Sequence, residues 1–521
     1  MFEGGGYGVG VTVTPLEPLP WPEVPPPPGV EIHPARLGEM MPVAARTRAE
    51  RATELERITR VEAQLAAYKV EIVAASARES ATADDPRPGR PGDSGPEADD
   101  ERLDGVGDFF SDELALPLRC SRTAATTLAE VSLTLTERLP AIWAALADGA
   151  LDWPRARALA LELGWPARDT APWVLAQVEE AVLPGAMDLS VKQLRAAARR
   201  ELVRRDAAAA EQRRKQAERA ADVTVHALGD GMAELKAVMP APLAAATRDA
   251  VDSYARLAQA DGAEGTLGQL RTGVLADLVL RTWDTSRPPV TAELTVVAPL
   301  DALRSPQPQS VAEVSGQPIT ATHLRELLRQ LEALCPGGLQ APSGSSLTMA
   351  IVEPDSGELR AAVTRSELER LVRRGCRGHP AGGCDCAVLD RPPPVGRYRP
   401  SAAQRRFLRT RDRTCRHPGC ANRAGWADLD HVVPHARGGP TDCANLCCLC
   451  RRHHRLKTHA RGWRFVMTAD GMLSVTTPGG ITRTTRPPGH SPPAPVGRSP
   501  AVGTAQPGLR LLLADDAAPF C

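Results

Sequence analysis

The stretch RDRTCRHPGCANRAGWADLDHVVPHARGGPTDCANLCCLCRRHHRLKTH, beginning at Arg411, constrains this chain more than any other. It carries Cys415-x4-Cys420 and, thirty residues later, Cys450-x2-His453. Two close pairs of sulfur and nitrogen ligands meet the demands of a tetrahedral zinc site, with Zn–S near ~2.3 Å and Zn–N near ~2.0 Å. A closed four-ligand site leaves no open position for chemistry. Its role is to staple a small domain whose apolar core is too thin to hold it alone.

A second set is threaded through the first: the pair Asp430-His431, then Asn445, then His454. Cys450 precedes His453 by three residues and His454 by four, and both intervals are about one helical turn. Neighbouring helix residues project roughly 100° apart, so the two histidines cannot serve one site from the same direction. If one turns towards Cys415 and Cys420, the other faces whatever holds Asp430 and His431. Spacing alone leaves the assignment open.

At 521 residues the chain is too long for one ordinary core, and two or three domains are expected. Aromatic residues are scarce, while 48 Pro and 43 Gly are present, which predicts Ala/Leu-rich helices separated by disordered connectors. The formal net charge is zero, but it is unevenly spread. Between Ser401 and Arg464 stand fourteen Lys/Arg against four acidic residues, a local excess of ten. Such a compact basic segment points to a polyanionic partner. Arginine dominates the basic residues everywhere, so the clustering carries weight and the residue type does not. The first residues show no basic, apolar and small-residue succession of an export signal, and no apolar run approaches ~20 residues. A cytoplasmic location is therefore expected, where thiols stay reduced and the twelve cysteines read as ligands or bystanders rather than disulfides.

Residues 1–45 and 487–521 are Pro/Gly-rich and expected to be disordered. Residues 46–375 form a mainly helical region, with an acidic Pro/Gly linker at about 80–108 and a mixed α/β part at about 288–375. The repeat of Leu128, Val131, Leu135 and Leu139 is helical. From Ser190 to Asp222 one long, solvated helix is expected, packed along a single stripe. VTAELTVVAP alternates as a strand, SLTMAIVEPDSGELRAAV reads as two strands around a Pro-Asp-Ser-Gly turn, and a helix from Ala321 to about Leu334 lies between them. Residues 376–396 are a linker, 397–464 the basic segment, and 465–486 a hairpin turning at Asp470-Gly471. In the linker, Cys376, His379, Cys384 and Cys386 could form a second zinc knuckle, although their spacing is irregular.

LDHVVPHARGGPTDCANLCCLCRRHHRLK resembles the HNH endonuclease motif: an Asp-His pair, a Gly-Gly turn, Asn-Leu, and Cys-x2-His-His-x2-Lys. The flanking YRPSAAQRRFLRTRDRTCRHPGC and THARGW are similar to actinobacterial HNH proteins. Those proteins carry an N-terminal domain of unknown function, number 222, which LRCSRTAATTLAEVSLTLTERLPAIWAALADGAL and GMAELKAVMPAPLAAATRDAVDSYARLA resemble. The resemblance implies a multidomain chain: a mainly α N-terminal domain with a small α+β portion, and a zinc-stapled, treble-clef-like ββα-metal domain over 397–464. It implies His431 as the general base that activates a water for attack on a phosphodiester. His454 and Asp430 would hold one divalent cation, Mg2+ or a similar ion, and Asn445 would orient the loop bearing His431. His453 would join Cys415, Cys420 and Cys450 at a structural Zn2+. Arg451, Arg452, Arg455 and Lys457 would meet the phosphate backbone of nucleic acid, DNA above all.

Departures from the plain motif supply rivals. Cys443, Cys447 and Cys448 are surplus thiols, and Cys447-x2-Cys450 is an alternative ligand pair. His417 and His435 lie near enough in sequence to compete, and His459 is expected at a solvated helix end. Two functions follow: a metal-dependent endonuclease, or a zinc-stabilised nucleic-acid-binding protein that does not cut. The N-terminal region shows neither a phosphate-cradling Gly loop nor a G-x-S-x-G nucleophile motif. Its helical character suggests a scaffold or a homodimer interface.

Overall fold

The computed structural model describes residues 43–80, 105–280 and 390–488, with residue 103 and short pieces between 286 and 367. Helix α1 (Arg48–Glu79) starts at a capping box in which the Thr47 hydroxyl accepts from Glu50 N and the Glu50 carboxylate accepts from Thr47 N. Its inner face is a stripe of small side chains, Ala63, Ala67, Val70, Val73, Ala74 and Ala77, which lets neighbouring helices approach closely. Then come α2 (Phe110–Leu118), α3 (Arg122–Leu133), α4 (Pro140–Ala147), α5 (Trp153–Leu163), α6 (Pro172–Val182), α7 (Val191–Arg205) and α8 (Ala207–Arg219), of which α3, α4 and α5 pack on α1, and α7 packs on α5 and α6. A π-helical turn, Thr134–Arg138, carries α3 into α4, and Pro140 occupies the first turn of α4, where its missing N–H costs nothing. The core is aliphatic: Val131, Leu135, Leu139, Ile142, Leu146, Leu159, Leu163, Leu175, Val178, Leu194 and Leu202 are all fully buried. Each such side chain contributes about 1.5–3 kcal/mol on burial.

One helical expectation needs correction. The long helix after Ser190 is broken at Asp206, which leaves the helical region (φ −141°, ψ 78°), giving α7 and α8. Leu194, Ala198 and Leu202, four apart, form the single buried stripe of α7. Within the mainly helical region, β1 (Val223–Gly229) and β2 (Met232–Ala237) form an antiparallel hairpin that was not foreseen. Gly229, Asp230 and Gly231 all take positive φ at its turn, a conformation that glycine adopts without strain and Asp tolerates. Helices α9 (Ala241–Ala260) and α10 (Leu267–Leu280) follow and pack on each other.

Of the strand expected in VTAELTVVAP, Val296–Val297 is described and pairs with Val311–Val314; the rest lies outside the described residues. Helix α11 (Ala321–Gln330) stops short of Leu334, which instead enters a two-residue strand pairing with Gly338–Leu339. The two strands around Pro-Asp-Ser-Gly are present as β3 (Thr348–Val352) and β4 (Leu359–Thr364). The candidate knuckle Cys376, His379, Cys384 and Cys386 lies outside the described residues, as do residues 1–42 and 489–521. No described helix is long and apolar enough to cross a membrane.

The C-terminal part begins with α12 (Ala402–Asp412), capped by a Ser401–Gln404 box. An antiparallel pair follows, β5 (Asp428–His431) and β6 (Leu446–Leu449), in the register Asp428 to Leu449 and His431 to Leu446. Helix α13 (Arg451–His459) leaves β6 directly, with Cys450 as its N-cap residue. The hairpin expected at Asp470-Gly471 is present in β7 (Arg464–Met467) and β8 (Leu473–Thr476), and β9 (Thr482–Thr485) adds a third strand that was not foreseen. Phe407 and Leu408 of α12 pack with Leu446 and Cys448 of β6 and with Leu359 and Ala362 of β4. At the centre lies a polar hub, the fully buried Asp412. It accepts hydrogen bonds from Arg411 Nε (2.7 Å), Arg416 Nη1 (3.0 Å) and Cys448 N (2.8 Å). Burial alone would raise this carboxyl, but the two guanidinium groups and the amide hold it below the ordinary range.

Candidate metal centre

The loop after α12 turns back on itself because Arg413 ends the helix with positive φ and an isolated bridge pairs Thr414 with Arg423. Cys415 N donates to Asn422 O and Cys420 N to His417 O, so both thiols face the start of α13. There Cys450, at the cap, and His453, one turn on, complete the group. Single ligand atoms from Cys415, Cys420, Cys450 and His453 all lie within 4.8 Å of one another. His453 Nδ1 is 3.3 Å from Cys415 Sγ and 3.2 Å from Cys450 Sγ. Ligands at tetrahedral corners around zinc stand roughly 3.5–3.8 Å apart, so the group can close on an ion with small adjustments. Hydrogen bonds from Cys415 and Cys420 hold the Cys450 thiol below its ordinary range.

The sequence-level rivals fall elsewhere. The His417 ring stacks face to face on His453 at 3.8 Å, with its Nδ1 3.1 Å from Pro418 O. Burial keeps it neutral, down to about 3. Cys443, Cys447 and Cys448 are fully buried in the apolar clusters, and burial pushes the Cys443 thiol up to about 12. His435 lies against His431 and Tyr398, away from the four ligands.

His453 Nε2 lies 3.0 Å from Asp112 Oδ1, on α2 of the N-terminal region. The imidazole therefore donates its Nε2 proton to that carboxylate and points Nδ1 at the thiols. Asp112 is itself buried, and it also takes Arg452 Nε at 2.9 Å and Nη2 at 2.7 Å. Arg455 Nη2 pairs with Asp108 at 3.2 Å, and both arginines lie over the Phe109 ring. Arg452 and Arg455 thus face protein carboxylates instead of the open surface expected of phosphate contacts.

His454 turns the other way. Its Nδ1 is 2.8 Å from Asp428 Oδ2 and its Nε2 3.4 Å from Asp430 Oδ1. Asp428 escaped the sequence analysis, yet the signal was there: two residues before Asp430 on a strand, it projects from the same face. Lys457, also expected at phosphate, donates to His431 O at 2.7 Å and pairs with Asp430 Oδ2 at 2.8 Å. Arg451 alone of the four expected contacts keeps a largely open side chain, 80% exposed and 3.5 Å from Asp428.

His431 is buried, with Nε2 2.9 Å from Thr441 Oγ1 and its ring stacked on Tyr398. Thr441 in turn reaches Tyr398 O, so its oxygen is free to accept the Nε2 proton and leave Nδ1 with a lone pair. Burial, opposed by Asp430, pushes this imidazole below its ordinary value. The neighbouring loop is pinned by Asn445, whose Oδ1 accepts from Val433 N while Nδ2 donates to Val433 O and Pro440 O. A side chain at Gly439 would meet Val433 O at 1.9 Å, so only glycine lets the loop close this tightly.

A protein-family model described as "Domain of unknown function (DUF222)" matches residues 52–334. "Uncharacterized protein Rv3776" of Mycobacterium tuberculosis (strain ATCC 25618 / H37Rv) is 51% identical over 90 residues, 17% of this chain and 17% of that protein. "Uncharacterized protein Rv2100" of the same strain is 35% identical over 195 residues, 37% of this chain and 32% of that protein. The chain matches about a third or less of the length of these curated relatives. No solved structure matches.

Proposed function

The chain belongs to the DUF222 family, and we propose that its C-terminal module is a metal-dependent HNH-type endonuclease acting on nucleic acid, DNA above all. One observation carries this: His454 reaches Asp428 and Asp430 on one side of α13, while its neighbour His453 closes a separate Cys3His group on the other. A closed thiolate-rich site suits structural Zn2+, and a carboxylate–imidazole site suits a harder divalent cation such as Mg2+. Asp430 and His454 would hold that cation, with Asp428 on His454 Nδ1 fixing the ring, and the cation would supply stabilisation of the charge developing on the phosphate.

His431 serves as general base. Its Nε2 proton is directed to Thr441, so Nδ1 is the atom that takes the proton of the attacking water. Burial keeps the imidazole neutral near pH 7, the form this role needs. Asn445 fixes the loop that follows His431 and so limits its freedom to drift from the reacting phosphate. Phosphate contact falls chiefly to Arg451, since Arg452, Arg455 and Lys457 are engaged within the protein.

A second reading, a zinc-stabilised binding module that does not cut, draws on one feature. Lys457 Nζ pairs with Asp430 Oδ2 and so already neutralises a carboxylate that a cation would need. Plasmid nicking with added Mg2+ or Mn2+ separates the two. Wild type should nick, and His431→Ala should lose roughly 10²- to 10⁴-fold in rate. Wild-type protein that binds plasmid yet shows no metal-dependent nicking would refute the nuclease assignment.

A further inference from the structure

The fourth corner of the Cys3His group is oriented by a residue more than three hundred positions earlier in the chain. Asp112 projects from α2, and its carboxylate is fully buried. Its Oδ1 receives His453 Nε2 at 3.0 Å, while Oδ2 receives Arg452. A metal-bound histidine needs its second nitrogen fixed. A carboxylate there sets the tautomer, aims the ring and strengthens the ligand nitrogen.

The surroundings of α2 fit the same role. Leu116 packs in one apolar cluster with Cys415, Cys450, Val432 and Leu473. Arg483 Nε donates to Leu116 O at 3.1 Å, and Gly479 N donates to Glu113 Oε1 at 3.3 Å. Gly419, between the two thiols of the first ligand pair, sits so close to Cys120 that an added Cβ would lie 2.9 Å from its carbonyl oxygen. Helix α2 and the turn after it thus touch the ligand loop, the ligand histidine and the segment of β7–β9 together.

We propose that the Cys3His centre is a clasp between the two parts of the chain. Asp112 is the positioning residue for His453, and metal loading fixes α2 and the N-terminal region onto the C-terminal module. With no metal, the three thiols no longer converge on His453 Nδ1, and the ring is free to turn away from Asp112. The carboxylate and Arg452 then lose the geometry that holds the interface. Because binding and docking are linked, the coupling runs both ways: the docked chain must bind metal more tightly than the undocked one by the factor by which metal strengthens docking. The clasp does not depend on whether the module cuts nucleic acid.

The test uses the full chain and Zn2+ as the probe. Zinc affinity is measured by chelator competition in wild type and in Asp112→Asn, with helicity recorded alongside. Asp112→Asn should weaken zinc about 10- to 100-fold, the usual consequence of losing such a carboxylate, while helicity is kept. In parallel, backbone hydrogen exchange is followed in wild type with and without chelator. Metal removal should expose residues 110–118 to exchange and leave 135–163, inside the bundle, protected. Wild type that takes up no zinc overturns the proposal, and so does an affinity for Asp112→Asn within twofold of wild type. If that variant does not fold, the wild-type exchange decides alone, and 110–118 remaining protected without metal also overturns it.

Discussion

From Val131 to Leu202 the helical region closes its core with aliphatic side chains, Glu162 and Glu179 being its buried charged residues, whereas from Ser401 to Thr485 the C-terminal module buries Arg411, Asp412, Arg416, His417 and three of the four Cys3His residues. The contrast follows from size. A bundle of eight helices, α1 to α8, removes enough apolar surface to hold itself, and aliphatic contacts demand no particular partner. The module has short strands and a single nine-residue helix after β6, so it must use directional interactions. Directional interactions are specific, but each leaves a costly orphan when one partner is lost. The two regions should therefore fail in different ways.

Metal removal should produce the largest difference. Structural zinc contributes an apparent ~10–16 kcal/mol in small zinc-dependent folds. Chelation, or Cys415→Ser, should abolish the module's melting transition and leave that of the helical region. Calorimetry of the full chain checks this. A single transition, unmoved by chelator, would erase the proposed contrast.

Next comes the buried hub. Asp412→Asn keeps the shape but leaves Arg411 and Arg416 without their counter-charge, at a cost of about 3–5 kcal/mol to the module. The pH dependence has a definite sign. The folded-state pKa of Asp412 lies below the ordinary unfolded value of ~3.9, so its contribution is complete above that value and fades as pH falls through the folded one. Acid titration of wild type should lose the module between those two points, and Asp412→Asn should flatten that part of the profile. An unchanged profile would mean the hub is not what holds the module.

The same contrast explains what could be read from the chain beforehand. Cys415, Cys420, Cys450 and His453 stood out because their two short spacings are those a tetrahedral ion demands, and the structure brings the four together. The bundle core stood out through Val131, Leu135 and Leu139, since helical burial repeats every three to four residues. Arg411, Arg416, Arg452 and Arg455 were counted as surface charge, because sequence cannot separate a solvated arginine from one that a distant carboxylate has drawn inside. Asp112 was invisible as a partner of His453 for the same reason: no local period links α2 to α13. Asp428 was legible in principle from its strand-period spacing to Asp430. The β1–β2 hairpin was missed although Gly-Asp-Gly marks its turn, because helical neighbours on both sides dominated the pattern.

The smallest effect sharpens the comparison from the bundle's side. Ile142 is fully buried among Leu139, Leu146 and Leu175, and its side chain makes only non-directional contacts. Ile142→Val removes one methylene and leaves no polar group unpaired, so it should cost about 0.5–1.5 kcal/mol. The loss should fall on the helical transition alone, with zinc affinity unchanged. A chemical denaturation curve showing a shifted midpoint at constant slope checks the magnitude. If this one-methylene change instead cost as much as Asp412→Asn, the bundle would be as tightly specified as the module, and the distinction between aliphatic and directional cores would fail at its easiest position.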